Sequence, residues 1–113
     1  MDNIKNNDYF VKKLIEDLTF IRKHTKRLNL KQFSSDELLQ DAMMFRLIQI
    51  SENVLKLDDE FKASNPQVPW FAIKGLRNRI VHDYGNVDLT IVFNTLIHDI
   101  PEILDLLLNL SNT

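Results

Sequence analysis

At 113 residues and a formal net charge of −2, the chain has the length of one small domain, which usually takes roughly 100–200 residues. Two glycines and three prolines are too few for the turns of an all-β protein. The absence of cysteine removes disulfides, thiolate metal sites and thiol nucleophiles together.

The opening "MDNIKNND" is polar and carries acid, unlike a secretory or transit signal. No apolar run reaches the roughly 18 residues of a membrane span, so a cytoplasmic protein with no membrane contact is expected. From Asp8 to Leu28, the residues Phe10, Leu14, Leu18, Ile21 and Leu28 recur at steps of three, four and seven, which predicts an amphipathic helix. Charge is unevenly spread. Residues 1–32 carry eight Lys/Arg against four Asp/Glu, a sum of +4, and residues 33–113 carry six against twelve, a sum of −6. The basic part includes "RKHTKRLNLK" (22–31), which fits a phosphate contact. It also fits a solvated helix end, where Lys and Arg complement the dipole. No aromatic residue interleaves with these charges, which favours the solvated end.

"KQFSSDELL" signals a second helix start, with Ser34 and Glu37 at capping-box spacing. The run "LLQDAMMFRLIQISENVLKL" has apolar residues on more than one face, as in a helix buried within a bundle or between subunits. Met43-Met44 reads as core filling. "DDEFKASNPQVPW" predicts a short helix or turn, with Pro69 at the first position of a third helix towards His82 and Gly75 as its weak point. "YGNVD" breaks that helix, and Asp88 suits the N-cap of a fourth. In the fourth, Phe93, Leu96, Ile100, Ile103, Leu107 and Leu110 form a heptad seam. Pro101 predicts a kink near Leu96–Ile97, where an i−4 bond is lost. The chain reads as a single domain over 1–113, an all-α up-and-down bundle of about four main helices plus a short one.

One stretch, "GLRNRIVHDYG" (75–85), is not explained by packing. It gathers Arg77, Asn78, Arg79, His82, Asp83 and Tyr84 where a helix is about to stop. At about 100° per residue, Arg77 and Tyr84 nearly eclipse, and Asn78 neighbours His82. Arg77 and His82 are about 140° apart around the axis, so a continuous helix would not aim both at one small target. Either the helix unwinds before His82 or a second subunit closes the site. Cutting RNA without a metal needs a base on the 2′-hydroxyl, an acid on the leaving 5′-oxygen and a cation for the phosphorus oxygens. His titrates close enough to neutrality for either proton task, and Arg offers phosphate a permanently charged fork. One chain has one such His, so a symmetric dimer would supply the pair. The structural alternative makes Arg77 an ion-pair partner of Asp83 or Glu52 and His82 a helix C-terminal cap. Glu52 follows the apolar "FRLIQI", so a carboxylate buried there is expected to meet Arg77. His24 and His98 read as surface residues, and Ser51 has no evident base nearby in sequence. No His and carboxylate stand at metal-site spacing, and there is no Gly-rich phosphate loop, so no metal or cofactor is expected.

The order of segments "FSSDELLQDAMMFRLIQISENV", "NPQVPWFAIKGLRNRIVHDYGNVDLTIVF" and "DIPEILDLL" resembles the HepT-like branch of the HEPN superfamily, from about residue 8 to residue 108. Its most specific part is R-x4-H-x-Y, met by Arg77, His82 and Tyr84. Pro69-Trp70, Asn78, Val87-Asp88 and Asp41-Ala42 fit as well. The resemblance implies an all-α homodimer whose motif residues line one cleft, and a metal-independent endoribonuclease that acts as the toxin of a toxin–antitoxin pair. Arg77 and His82 would be catalytic, with Asn78, Glu52 and Asp83 in support. The implied partner is a minimal nucleotidyltransferase antitoxin (MNT type) that transfers AMP from ATP to Tyr84. AMP there would place negative charge beside Arg77 and compete with RNA. Where the family tends to have Gly-Glu, this chain has Ser51-Glu52. The alternative is a non-catalytic dimer that binds nucleotide or docks a nucleotidyltransferase.

Overall fold

The computed structural model describes residues 6–80 and 88–111, and every regular element among them is helical. Helix α1 (Asn7–Thr25) starts where the Asn6 side chain accepts the amide of Tyr9 at 3.1 Å. Its apolar row, Phe10, Val11, Leu14, Leu18 and Ile21, is buried as the spacing predicts. A short helix α2 (Leu30–Ser34) follows, closed by a reciprocal capping box. Gln32 N donates to Asn29 Oδ1 at 2.8 Å, and Asn29 N donates to Gln32 Oε1 at 2.9 Å. The predicted box at Ser34 and Glu37 does not form. Ser34 ends α2, and Asp36 caps the next helix, α3 (Glu37–Val54), by accepting the amide of Leu39 at 2.9 Å.

Helices α1 and α3 run antiparallel. Asn7 and Asp58, just beyond α3, clasp each other by hydrogen bonds of 3.2 and 3.0 Å, and Asp17 pairs with Arg46 midway along. The short helix expected after Asp58 is α4 (Asp59–Ser64). The turn beyond it is stitched by Trp70, whose Nε1 donates to the carbonyls of Lys62 and Asn65, both at 3.0 Å. The predicted third helix is divided into α5 (Trp70–Lys74) and α6 (Leu76–Ile80) at Gly75, and Pro69 is its N-cap rather than its first helical residue.

Asp88 caps α7 (Leu89–Asn94) through the amides of Thr90 and Ile91, as its position predicts. Where a kink is expected the chain makes a π-helical turn, Thr95–Asp99, which passes without a break into α8 (Ile100–Ser111). Its amide-to-carbonyl reach widens, Ile100 donating to Thr95 five residues back. Helix α8 returns antiparallel to α1, with Arg22 and Asp105 3.8 Å apart on the outside. That exposed pair adds little. Burial of Leu14, Leu18, Ile21, Met43, Leu47, Leu96, Ile100 and Leu107 holds the helices together. The all-α bundle read from the sequence is the observed fold. Among the described residues no helix is long and apolar enough to cross a membrane.

Candidate active site

The site begins with one hydroxyl. Ser51 lies in the last turns of α3, buried to 4% exposure, in a row of Leu47, Ile50 and Val54 that faces the core. A hydroxyl there needs partners, because burying it unpaired costs about 1–3 kcal/mol. Both come from the neighbouring chain segment. Ser51 Oγ donates to the carbonyl of Ile73 at 3.3 Å and accepts the amide of Arg77 at 3.1 Å. Ile73 and Arg77 are four residues apart, the carbonyl and amide that pair directly in an unbroken α-helix. Ser51 has inserted itself into that one rung. A side chain entering the ladder is a recognised cause of helix kinks, and here it accompanies the break between α5 and α6.

Beyond the break, Arg77 and Asn78 lie exposed at the start of α6, against the C-terminal half of α3. The guanidinium of Arg77 joins no ion pair among the described residues. The expected pair between Arg77 and Glu52 is absent. Glu52 is exposed rather than buried, because it falls on the outward side of α3 while Ser51, one residue earlier, takes the inward position. A fork held by its backbone, with no carboxylate partner among the described residues, can take an anionic oxygen. His82, Asp83 and Tyr84 lie outside the described residues; among the described ones the structure joins Ser51 to Arg77, with Asn78 and Glu52 next to them in the chain. His24 and His98 are exposed, as read from the sequence.

The outward face of α3 is apolar at several points. Leu38 is 81% exposed, Phe45 58% and Leu55 55%, and on adjacent α5 Phe71 is 85% exposed. Glu52 shares this face, and Arg77 borders it. Sequence reading found α3 apolar on more than one side, and the structure shows which side the core leaves uncovered. Ser51 was missed as a positioning group because it was judged as a nucleophile. The available signal was a hydroxyl on the buried face of a helix, where it must bond to something. A cleft lined by Asp8, Val11, Ile15, Phe61 and Leu108 contains none of the motif residues described. Among the described residues no three His, Cys, Asp or Glu are grouped to hold a metal.

Comparison with known proteins gives a consistent picture. The family model described as "Ribonuclease HepT-like" matches residues 14–110. A protein of Caldanaerobacter subterraneus subsp. tengcongensis, provisionally named an RNase, is 29% identical over 94 residues, covering 83% of this chain and 84% of that protein. A probable ribonuclease HepT of Thermococcus cleftensis is 26% identical over 94 residues, 83% of this chain and 86% of that protein. A Methanocaldococcus jannaschii protein, also provisionally named an RNase, is 28% identical over 92 residues, 81% of this chain and 76% of that protein. No solved structure matches the chain with significance.

Proposed function

The chain belongs to the HepT-like ribonuclease family, and from that we propose that it is a metal-independent endoribonuclease toxin that cuts RNA at a site shared by two copies. The observation that carries this reading is the state of Arg77. It stands exposed and without an ion-pair partner among the described residues, on a helix start held by Ser51, five residues before the histidine of its motif. In the reaction one His82 takes the proton of the 2′-hydroxyl, whose oxygen attacks phosphorus. The phosphorus–5′-oxygen bond breaks, and the second His82 of the dimer protonates the departing oxygen. Arg77 stabilises the charge that grows on the phosphorus oxygens, and Asn78 orients His82 or the phosphate. Glu52 and Asp83 support these groups from the rim.

Silencing follows from the same chemistry. A minimal nucleotidyltransferase antitoxin joins the Tyr84 oxygen to the α-phosphorus of ATP and releases pyrophosphate. The AMP phosphate then competes with RNA for Arg77.

Purified protein incubated with RNA and EDTA tests the catalytic part. Wild type is expected to cleave, and His82→Ala to remain folded and inactive. Arg77→Ala is expected to lose on the order of 100- to 1,000-fold in rate, the usual cost of removing one charge-stabilising donor. A His82→Ala protein that cuts at the wild-type rate removes the assignment. If wild type binds RNA without cutting it, the non-catalytic reading takes its place. Intact mass after incubation with ATP and a minimal nucleotidyltransferase tests the pairing, with a gain in AMP units on Tyr84 expected.

A further inference from the structure

A second group of residues stands apart from Arg77, on the α1 side of α3. Asp17 is 3% exposed, yet it is charged and sits within the apolar row of α1. Its Oδ1 accepts from Arg46 Nη1 at 2.7 Å, and its Oδ2 is buried with no hydrogen-bond partner among the described residues. An unsatisfied buried oxygen of this kind calls for an explanation. Its evident effect is to hold Arg46, whose guanidinium carbon lies 3.8 Å from the centre of the Phe20 ring. Phe20 in turn meets the exposed imidazole of His24, ring centres 4.4 Å apart and tilted by 47°. A buried acid therefore anchors a surface stack of guanidinium, phenyl and imidazole.

Two further cations flank the stack. Phe20, Lys23 and His24 lie within about 100° of arc on α1, and Arg27 follows in the turn just past the helix end. Lys23 and Arg27 are exposed, and neither is paired with a carboxylate among the described residues. Arg22, turned towards α8, has Asp105, but Lys23 and Arg27 have nothing comparable among the described residues. The helix dipole accounts for positive charge at this end of α1. It does not account for a buried carboxylate spent on holding a guanidinium against a ring. The sequence reading found no aromatic residue among these charges. The fold supplies one, because Phe20 lies one turn before His24 on the same face.

We propose that this stack is a binding site for single-stranded RNA outside the catalytic cleft, with His24 as the stacking surface for a base and Lys23, Arg27 and Arg46 as phosphate contacts. Planar rings and exposed cations side by side are the chemistry that single strands require. The place also suits a long substrate. Around the axis of α3, Arg46 and Ser51 fall on opposite flanks of the exposed Leu38–Phe45–Glu52 face. Arg77 borders one edge of that face and the stack borders the other. The site rests on RNA being the substrate class, and it adds affinity and strand path to the reaction already proposed.

The test uses full-length protein and a short labelled single-stranded RNA of mixed sequence, 2′-O-methylated so that it cannot be cut through its 2′-oxygen. Anisotropy across a NaCl series gives affinity and its salt slope. Each neutralised phosphate contributes about −0.7 to that slope, so Lys23→Ala with Arg27→Ala is expected to flatten it by about 1.4. His24→Ala is expected to weaken binding roughly five- to tenfold with the slope kept, since one stacked base is lost. With cleavable RNA both variants are expected to raise KM and leave kcat in place. A control pair of equal charge change, Lys12→Ala with Lys56→Ala, is expected to leave both affinity and slope near wild type. Unchanged RNA affinity in the Lys23/Arg27 and His24 variants overturns the site, as does an equal effect in the control pair. A change in oligomeric state with RNA affinity intact also overturns it, and would assign the patch to an acidic protein surface. Wild type that binds the methylated RNA through these residues but cuts no RNA leaves this site standing and removes the nuclease reading alone.

Discussion

In an unbroken helix through residues 70–80, the amide of Arg77 would donate to the carbonyl of Ile73. Ser51 Oγ stands in that place at 3.1 and 3.3 Å, so the direction of Arg77 is set by a residue of another helix. Gly75 occupies the break, but its φ of −83° is open to any residue. A Cβ built there would meet Phe71 O at 3.5 Å and Ala72 O at 3.7 Å, ordinary contacts. Two substitutions separate the causes. Gly75→Ala is expected to be neutral or to stabilise by up to about 1 kcal/mol, because it only restricts the unfolded chain. Ser51→Ala is expected to destabilise by about 1–3 kcal/mol through two backbone groups left to re-pair. It is also expected to lower the cleavage rate, because Arg77 loses its anchor. Ser51→Thr keeps the hydroxyl and is expected to recover the rate in part. Urea denaturation and cleavage assays on the three proteins check this, and a Ser51→Ala protein as stable and active as wild type would refute it.

Among the elements, the α7–α8 segment was the most legible and the α5–α6 segment the least. The seam of Phe93, Leu96, Ile100, Ile103 and Leu107 is buried as its spacing predicts, since apolar periodicity is a local property of the chain. A departure from regular helix was legible there too, because Pro101 has no amide for the carbonyl of Ile97. The helix answers with the wider turn at Thr95–Asp99. Helix starts were less legible. Ser34, Asp36 and Asn29 are all competent caps, and the choice fell to the reciprocal Asn29–Gln32 pair and then to Asp36. The Ser51 insertion lies 22 residues from Ile73 and 26 from Arg77, beyond any local pattern. Of the candidate site, Arg77 and Asn78 were legible as a motif, while Glu52 was assigned the wrong side of its helix. Pro101→Ala tests what the wide turn depends on. A regular helix there would turn the α8 seam away from α1, so packing is expected to retain the turn. The change in stability is then expected to stay within about 1 kcal/mol, the worth of one ordinary hydrogen bond. Hydrogen exchange at residues 95–101 that became uniformly protected, with a large gain in stability, would show the proline to be the sole cause.

At the scale of the molecule, the proposed pairing of Arg77 and His82 across two copies is testable at the uncovered face of α3. Leu38, Phe45 and Leu55 fall within about 100° of one side of α3, and Phe71 extends the apolar surface onto α5. Scattered exposed leucines need no explanation, but an apolar row beside an exposed arginine is where a second copy would gain burial and complete the site. A stable interface buries about 800 Å² per partner, which requires neighbours of this row as well as the row itself. Phe45→Glu places a charge at the centre of the face without touching the buried core, so the monomer is expected to stay folded. Wild type is expected to sediment near twice its 13.3 kDa chain mass, and the variant near that chain mass itself. If each cleft draws an imidazole from both copies, the monomeric variant also loses RNA cleavage although its own Arg77 and His82 are intact. A Phe45→Glu protein that remains dimeric moves the interface elsewhere. One that is monomeric and still cuts at the wild-type rate shows that a single chain holds the whole reaction.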